Sequence, residues 1–236
     1  MIGDNAFHEC DSLTSADLLE VTTIGKSAFA NCNSLTSVSL PKVTTIRVQT
    51  FYGCASLVSV NLPEVTSIGT STFNFCRSLT SIDLPMAISI GYAAFSSCTK
   101  LASVNLPKAT TIQDYAFGRC DSLTSIDLPN ATTINDAAFF QCTALTSVSL
   151  PMVTNIASNT FYRCYNLSSL ILGASSVCTL VHSNAFTSTP YAGYSASFSG
   201  TPYIYVPASL VSQYKKAYNW NYFASYFSAI EDMPTT

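Results

Sequence analysis

The sequence predicts an α/β repeat solenoid: a parallel β-sheet of 22-residue coils, short helical turns on the other side, and a small helical cap at the C-terminus. Three observations predict it. Isoleucine recurs without a slip at Ile2, Ile24, Ile46, Ile68, Ile90, Ile112, Ile134 and Ile156. In step with it run a phenylalanine column from Phe7 to Phe161, a cysteine column from Cys10 to Cys164, and a leucine column from Leu13 to Leu167. Finally, a 22-residue unit is too short for a strand, a full helix and their loops. It suffices for one turn of a coil that buries its apolar side only by stacking on its neighbours.

The opening unit is eroded, with Ala16 in the valine column and Leu19 in the proline column. Ile2 enters in mid-register, so the first coil is read as lacking a cap and the chain as a fragment without its upstream repeats or leader. The second unit shows the repeat in full. Ala28, Phe29, Cys32 and Leu35 fall at helix-turn spacing, so residues 27–31 are expected to form a short 3₁₀ or α turn. Val38 and Leu40 alternate with serines, the period of a half-buried strand. Pro41 has no N–H to offer a neighbour and stops the ladder. Val43 and Ile46 then face inward along an extended return. Strands of successive coils should pair in parallel, about 4.8 Å apart.

Residues 1–172 are therefore read as eight coils, and 173–236 as a degenerate repeat, a loop and a cap. The period breaks where Gly173 replaces the proline. An irregular unit containing Phe186 and an enlarged loop from 191 to 199 follow. Residues 203–206 read as the last strand. Pro207 suits the start of a helix whose apolar face carries Leu210, Val211, Tyr214, Ala217 and Tyr218. A second helix is expected to carry Trp220, Phe223, Phe227 and Ile230.

Composition narrows the function classes. Charged residues are 10% of the 236 and hydrophobic residues 48%, and Ser and Thr make up about a quarter. With 12% aromatics the chain has ample apolar surface, which excludes charge-driven disorder. A net charge of -3 without clustered Lys and Arg argues against a nucleic-acid surface. No apolar run approaches the ~18 residues of a membrane span, and no basic, then apolar signal segment follows Met1.

The unit Ile-Gly-x-x-Ala-Phe-x-x-Cys-x-Ser-Leu-Thr-Ser-Val-x-Leu-Pro, as in residues 24–41, resembles the BspA-type (Treponema-type) leucine-rich repeats of bacterial surface and secreted proteins. The tail from Ile204-Tyr205-Val206-Pro207 through Lys215-Lys216 to Trp220 is similar to endings found among gut-bacterial members. The resemblance implies a leucine-rich-repeat solenoid at a cell surface or secreted, acting in adhesion or protein–protein contact. It implies no catalytic residue and no cofactor. The expected partner is a protein on a host or neighbouring cell.

The cysteines recur at 22-residue intervals, where zinc sites need pairs two to four apart. Eight are assigned to a buried thiol ladder, and Cys178 is expected to lie outside it, exposed. So many free thiols suit a reducing or anaerobic setting. His8 and His182 stand many coils apart, and no nucleophile, P-loop, zincin or dinucleotide motif is present, so catalysis is not supported. On the strand side, Asn61, Asp83, Asn105 and Asp127 form a polar column. Asp83, Asn105 and Asp127 are weighed as Ca²⁺ ligands and assigned instead to a hydrogen-bonded ladder. On the turn side, Tyr52, Phe75, Tyr92, Tyr115, Phe140, Tyr162 and Tyr165 replace the small polar residues of other repeats. Such aromatics anchor protein partners or stack on sugars, or else pack between coils. A carbohydrate-binding or glycan-processing protein using these rings with Asp83 and Asp127 is the alternative reading, and a structural spacer a third.

Overall fold

The computed structural model describes residues 1–193 and 200–234. The chain winds through about ten turns with three walls. The front wall holds the three-residue strands Ser15–Asp17, Ser37–Ser39, Ser59–Asn61, Ser81–Asp83, Ser103–Asn105, Ser125–Asp127, Ser147–Ser149 and Ser169–Ile171. Their pairing is parallel, with Ser15 opposite Ser37 and Val38 opposite Val60. The front ladder is interrupted between Ser59–Asn61 and Ser81–Asp83 and again between Ser103–Asn105 and Ser125–Asp127. The side wall stacks the two-residue strands Thr45–Ile46, Ser67–Ile68, Ser89–Ile90, Thr111–Ile112, Thr133–Ile134, Asn155–Ile156 and Thr179–Leu180 in one unbroken parallel sheet. Its loop N–H groups point back along the rod: Thr66 donates to the Thr44 carbonyl and Gly69 to that of Ile46.

The third wall is where residues 27–31 and their equivalents lie, and it differs from the expected helical turn. The segment is a chain of tight turns in which alternate N–H groups leave the coil. Ser27, Phe29 and Asn31 donate forward to the carbonyls of Val48, Thr50 and Tyr52, and later coils repeat this through Ala137, Phe139 and Gln141. A helix would spend those donors internally. Two residues per coil take left-handed φ to aim them outward: Ser27 and Asn31 at 53° and 59°, then Gln49 and Gly53, Ser71 and Phe75, onward to Asn159 and Arg163. The left-handed region costs a non-glycine residue about 1–2 kcal/mol, offset here by a third inter-coil ladder. At Gly53, φ 72°, a Cβ would stand 2.3 Å from Oδ1 of Asn31, so a larger residue there would have to displace that amide.

The core consists of columns of like side chains. Phe rings from Phe7 to Phe186 stack nearly parallel, with centroids 4.9 Å apart in the first pair and 5.4 Å in the last. The column cysteines from Cys32 to Cys164 are buried free thiols. Each Sγ donates to the carbonyl of the Phe in the preceding coil, Cys98 to Phe73 at 3.0 Å and Cys120 to Phe95 at 3.2 Å. Burial pushes the Cys54 and Cys142 thiols up to about 12. Where Thr replaces the column alanine, as at Thr50 and Thr72, the buried hydroxyl donates to a carbonyl three residues back.

The C-terminal region corrects three expectations. Cys178 is not exposed: it is buried under the cap, its N–H donating to the Tyr214 hydroxyl and its carbonyl accepting from Trp220 Nε1 at 2.7 Å. The two cap helices shrink to the four-residue helix Val211–Tyr214 and the kinked 3₁₀ segment Trp220–Tyr226, and Tyr218 is exposed. Third, Tyr203–Val206 is not the last strand. It pairs with Ser169–Ile171 on one side and with Phe227–Ala229 on the other. Trp220 and Phe223 close the phenylalanine column by packing on Phe186. Asn219 donates to the carbonyls of Leu180 and Val181. Most of the enlarged loop, residues 194–199, lies outside the described residues.

Candidate interaction surface

The turn wall brings most of the candidate aromatics together in two runs. In the first, Tyr52 and Phe75 meet edge to face, centroids 5.7 Å apart. In the second, Tyr92 contacts Tyr115 at 6.2 Å, Tyr115 contacts Phe140 at 5.8 Å, and Phe140 stacks on Tyr162 at 5.3 Å. Tyr92 and Tyr115 are 50% and 36% exposed, while Tyr52, Phe75, Phe140, Tyr162 and Tyr165 are half-buried. The rings therefore do both things weighed from the sequence: they pack on one another between coils and present an edge or face to solvent. Ring pairs of this kind contribute about 0.5–1.5 kcal/mol each.

One backbone fact and one side-chain fact bear on these residues. Phe75 and Tyr115 hold left-handed φ of 64° and 56°, in columns that other coils fill largely with small, polar or charged residues. Bulky side chains are unfavourable there. Beside Phe75, Asn74 stands in the column of Tyr52 and Phe140, and its Oδ1 is buried without a hydrogen-bond partner.

The sequence reading missed the arginines. Three of the four in the chain, Arg77, Arg119 and Arg163, belong to the turn segments. Arg77 lies over the Phe75 ring at 5.6 Å and Arg163 over Tyr162 at 5.3 Å. Their scarcity and clustering were the available signal. Around Arg77 and Phe75 a depression of about 300 Å³ is bounded also by Asn31, Asn33, Tyr52 and Gly53.

The front wall is a field of hydroxyls and carboxamides. Asn105 Nδ2 donates to Asp83 Oδ1 at 2.8 Å and Asn61 Nδ2 to Ser39 Oγ at 3.2 Å. The column thus carries two separate hydrogen-bonded rungs, Asn61 on Ser39 and Asn105 on Asp83. Asp127 takes the same place in the coil after Asn105. Among the described residues no three His, Cys, Asp or Glu side chains are grouped to hold a metal, and no helix is long and apolar enough to cross a membrane. At the far end the front wall becomes aromatic, with Tyr203 and Tyr205 5.7 Å apart.

The family model for the BspA-type leucine-rich repeat region matches residues 1–121 and 110–193, in six copies. No curated protein sequence matches the chain. Solved structures do. A leucine-rich repeat protein from Bacteroides ovatus is 25% identical over 87% of this chain and 59% of its own, with a TM-score of 0.63. The Treponema pallidum leucine-rich repeat protein is 28% identical over 75% of this chain and 76% of its own, at 0.53. A leucine-rich cell surface protein from Faecalibacterium prausnitzii is 25% identical over 74% of this chain and 63% of its own, at 0.42. The chain thus spans about three-fifths of the length of the Bacteroides and Faecalibacterium proteins.

Proposed function

The chain belongs to the BspA-type leucine-rich repeat family, and from that premise we propose that it is a non-catalytic protein-interaction module of a bacterial surface or secreted protein. It engages its partner along an extended repeat surface by many modest contacts. One observation carries the reading: the aromatic side chains that depart from the repeat consensus gather on one wall, Tyr92 and Tyr115 being the most exposed. Aromatic residues are the type enriched at interface cores. The surface or secreted setting is the one that family membership implies.

The test presents the purified chain and a Tyr92→Ser/Tyr115→Ser variant to arrays of host cell-surface and matrix proteins and to a glycan array. The expected result is protein binding that drops about tenfold or more in the variant, the scale of losing a hot spot, while the variant stays folded with a thermal midpoint lowered only by the loss of its ring contacts. Equal binding by both chains, or capture of glycans alone, overturns the reading.

A further inference from the structure

Arg77 and Arg163 are exposed, and each is laid on an aromatic ring. The ion pairs among the described residues are His8–Glu9 and Lys42–Glu20, so neither guanidinium has a carboxylate within 4 Å. A guanidinium resting on a ring keeps its planar fork of donors partly pre-set, so less freedom is lost when it takes a bidentate acceptor. Arg119 also lacks a carboxylate within 4 Å, has no ring beneath it among the described residues, and lies close enough to Asp121 to offset in part the rise that burial imposes on that carboxyl. The two ring-backed guanidinia stand in the fourth and eighth coils. Four coil steps separate them, about 19 Å at the spacing of parallel strands. An extended peptide covers that distance in about six residues. Between them lie the rings of Tyr92, Tyr115 and Phe140. In the intervening turn segments Asp114, Asp121 and Asp136 outnumber Arg119, so negative charge is called for at the two ends more than in the middle.

Phe75 adds an independent argument. It holds its left-handed φ of 64° where other coils place Gly53, Asn31 or Ser97. Strain of this kind persists where the side chain serves something besides folding. Here the ring both supports Arg77 and bounds the depression beside it.

We propose that the turn wall is a two-clamp track for an extended acidic segment of a partner protein. Carboxylates about six residues apart seat on Arg77 and Arg163, and uncharged side chains between them lie against Tyr92, Tyr115 and Phe140. This rests on the protein-interaction reading and narrows it to one partner chemistry.

Fluorescein-labelled nine-residue peptides test it by anisotropy against the full chain. One carries Glu at the second and eighth positions with Ser, Val and Tyr between; its control carries Gln at both. The Glu peptide should bind about tenfold tighter than the Gln peptide at low salt, and Arg77→Gln or Arg163→Gln should each remove about threefold of that gain. Moving the two glutamates to three residues apart should forfeit the gain from the second one. Equal affinity for the Glu and Gln peptides, or no loss in either arginine variant, overturns the clamp. If the tyrosine variant loses its array protein while the arginine variants keep theirs, only the clamp fails. If all variants keep it, the interaction reading fails too.

Discussion

At the scale of one residue, the column cysteine shows what the repeat asks of a side chain. It must fill a small space and bring a donor to the Phe carbonyl of the coil before. Cys98 does this at 3.0 Å, although that same carbonyl of Phe73 also accepts the Cys76 N–H. Cys98→Ala removes a weak hydrogen bond and leaves a sulphur-sized void, with the carbonyl still partnered. The expected loss is about 1–2 kcal/mol, read as a lower urea midpoint at unchanged slope. The thiol ladder was legible from spacing alone, since an interval of 22 fits no metal site and Sγ has few other uses in a core. Cys178 was not. Its burial depends on Tyr214 and Trp220, 36 and 42 residues further along, reaching back to its backbone. Nothing local to Cys178 records that contact.

Elements follow the same division between what repeats locally and what is decided elsewhere. The front strand and the inward-facing return were readable because alternation of side chains is a property of the segment itself. The turn wall was misread as helical because its apolar spacing suits a helix, whereas the coil above supplies acceptors that draw its N–H groups outward. The signal lay in the residues at left-handed positions, among them Asn5, Asn31, Gly53 and Asn159, types that tolerate positive φ. Ala137 is buried with φ 54°, a conformation glycine adopts freely. Ala137→Gly should therefore stabilise by up to about 1 kcal/mol, against the usual sign for a glycine replacing alanine in an ordered element. A rise in thermal midpoint checks this; a fall of several degrees would show that the turn wall is wound some other way. The shape of the cap was not legible, since Phe227–Ala229 becomes a strand only because Tyr203–Val206 offers it an edge.

The whole molecule responds to pH through its thiols. Cys54, Cys142 and Cys178 are pushed up to about 12 by burial, from an ordinary 9.0, and Cys76, Cys120 and Cys164 move the same way. The folded form holds these protons more tightly than the unfolded one. Their stabilisation is therefore complete below pH 9 and lost as pH climbs towards 12. Each thiol takes away about 1.4 kcal/mol per pH unit in that window, and several acting together exceed the stability of an ordinary domain. Thiolate absorbance and loss of circular dichroism should rise in one cooperative step above pH 9. Thiols titrating near pH 9 with the dichroism intact would contradict their burial. The opposed directions of the walls bear on the electric field of the rod. Turn-wall amides face one end and the loop amides flanking the side-wall strands face the other, as with Ser27 towards Val48 and Thr66 towards Thr44. A helix sums such units into a pole at each tip. Here the two sets of peptide dipoles oppose one another, and more of the far field falls to the ionised side chains, Asp17, Asp83 and Asp127 on the front wall and a mixture of arginines and aspartates on the turn wall.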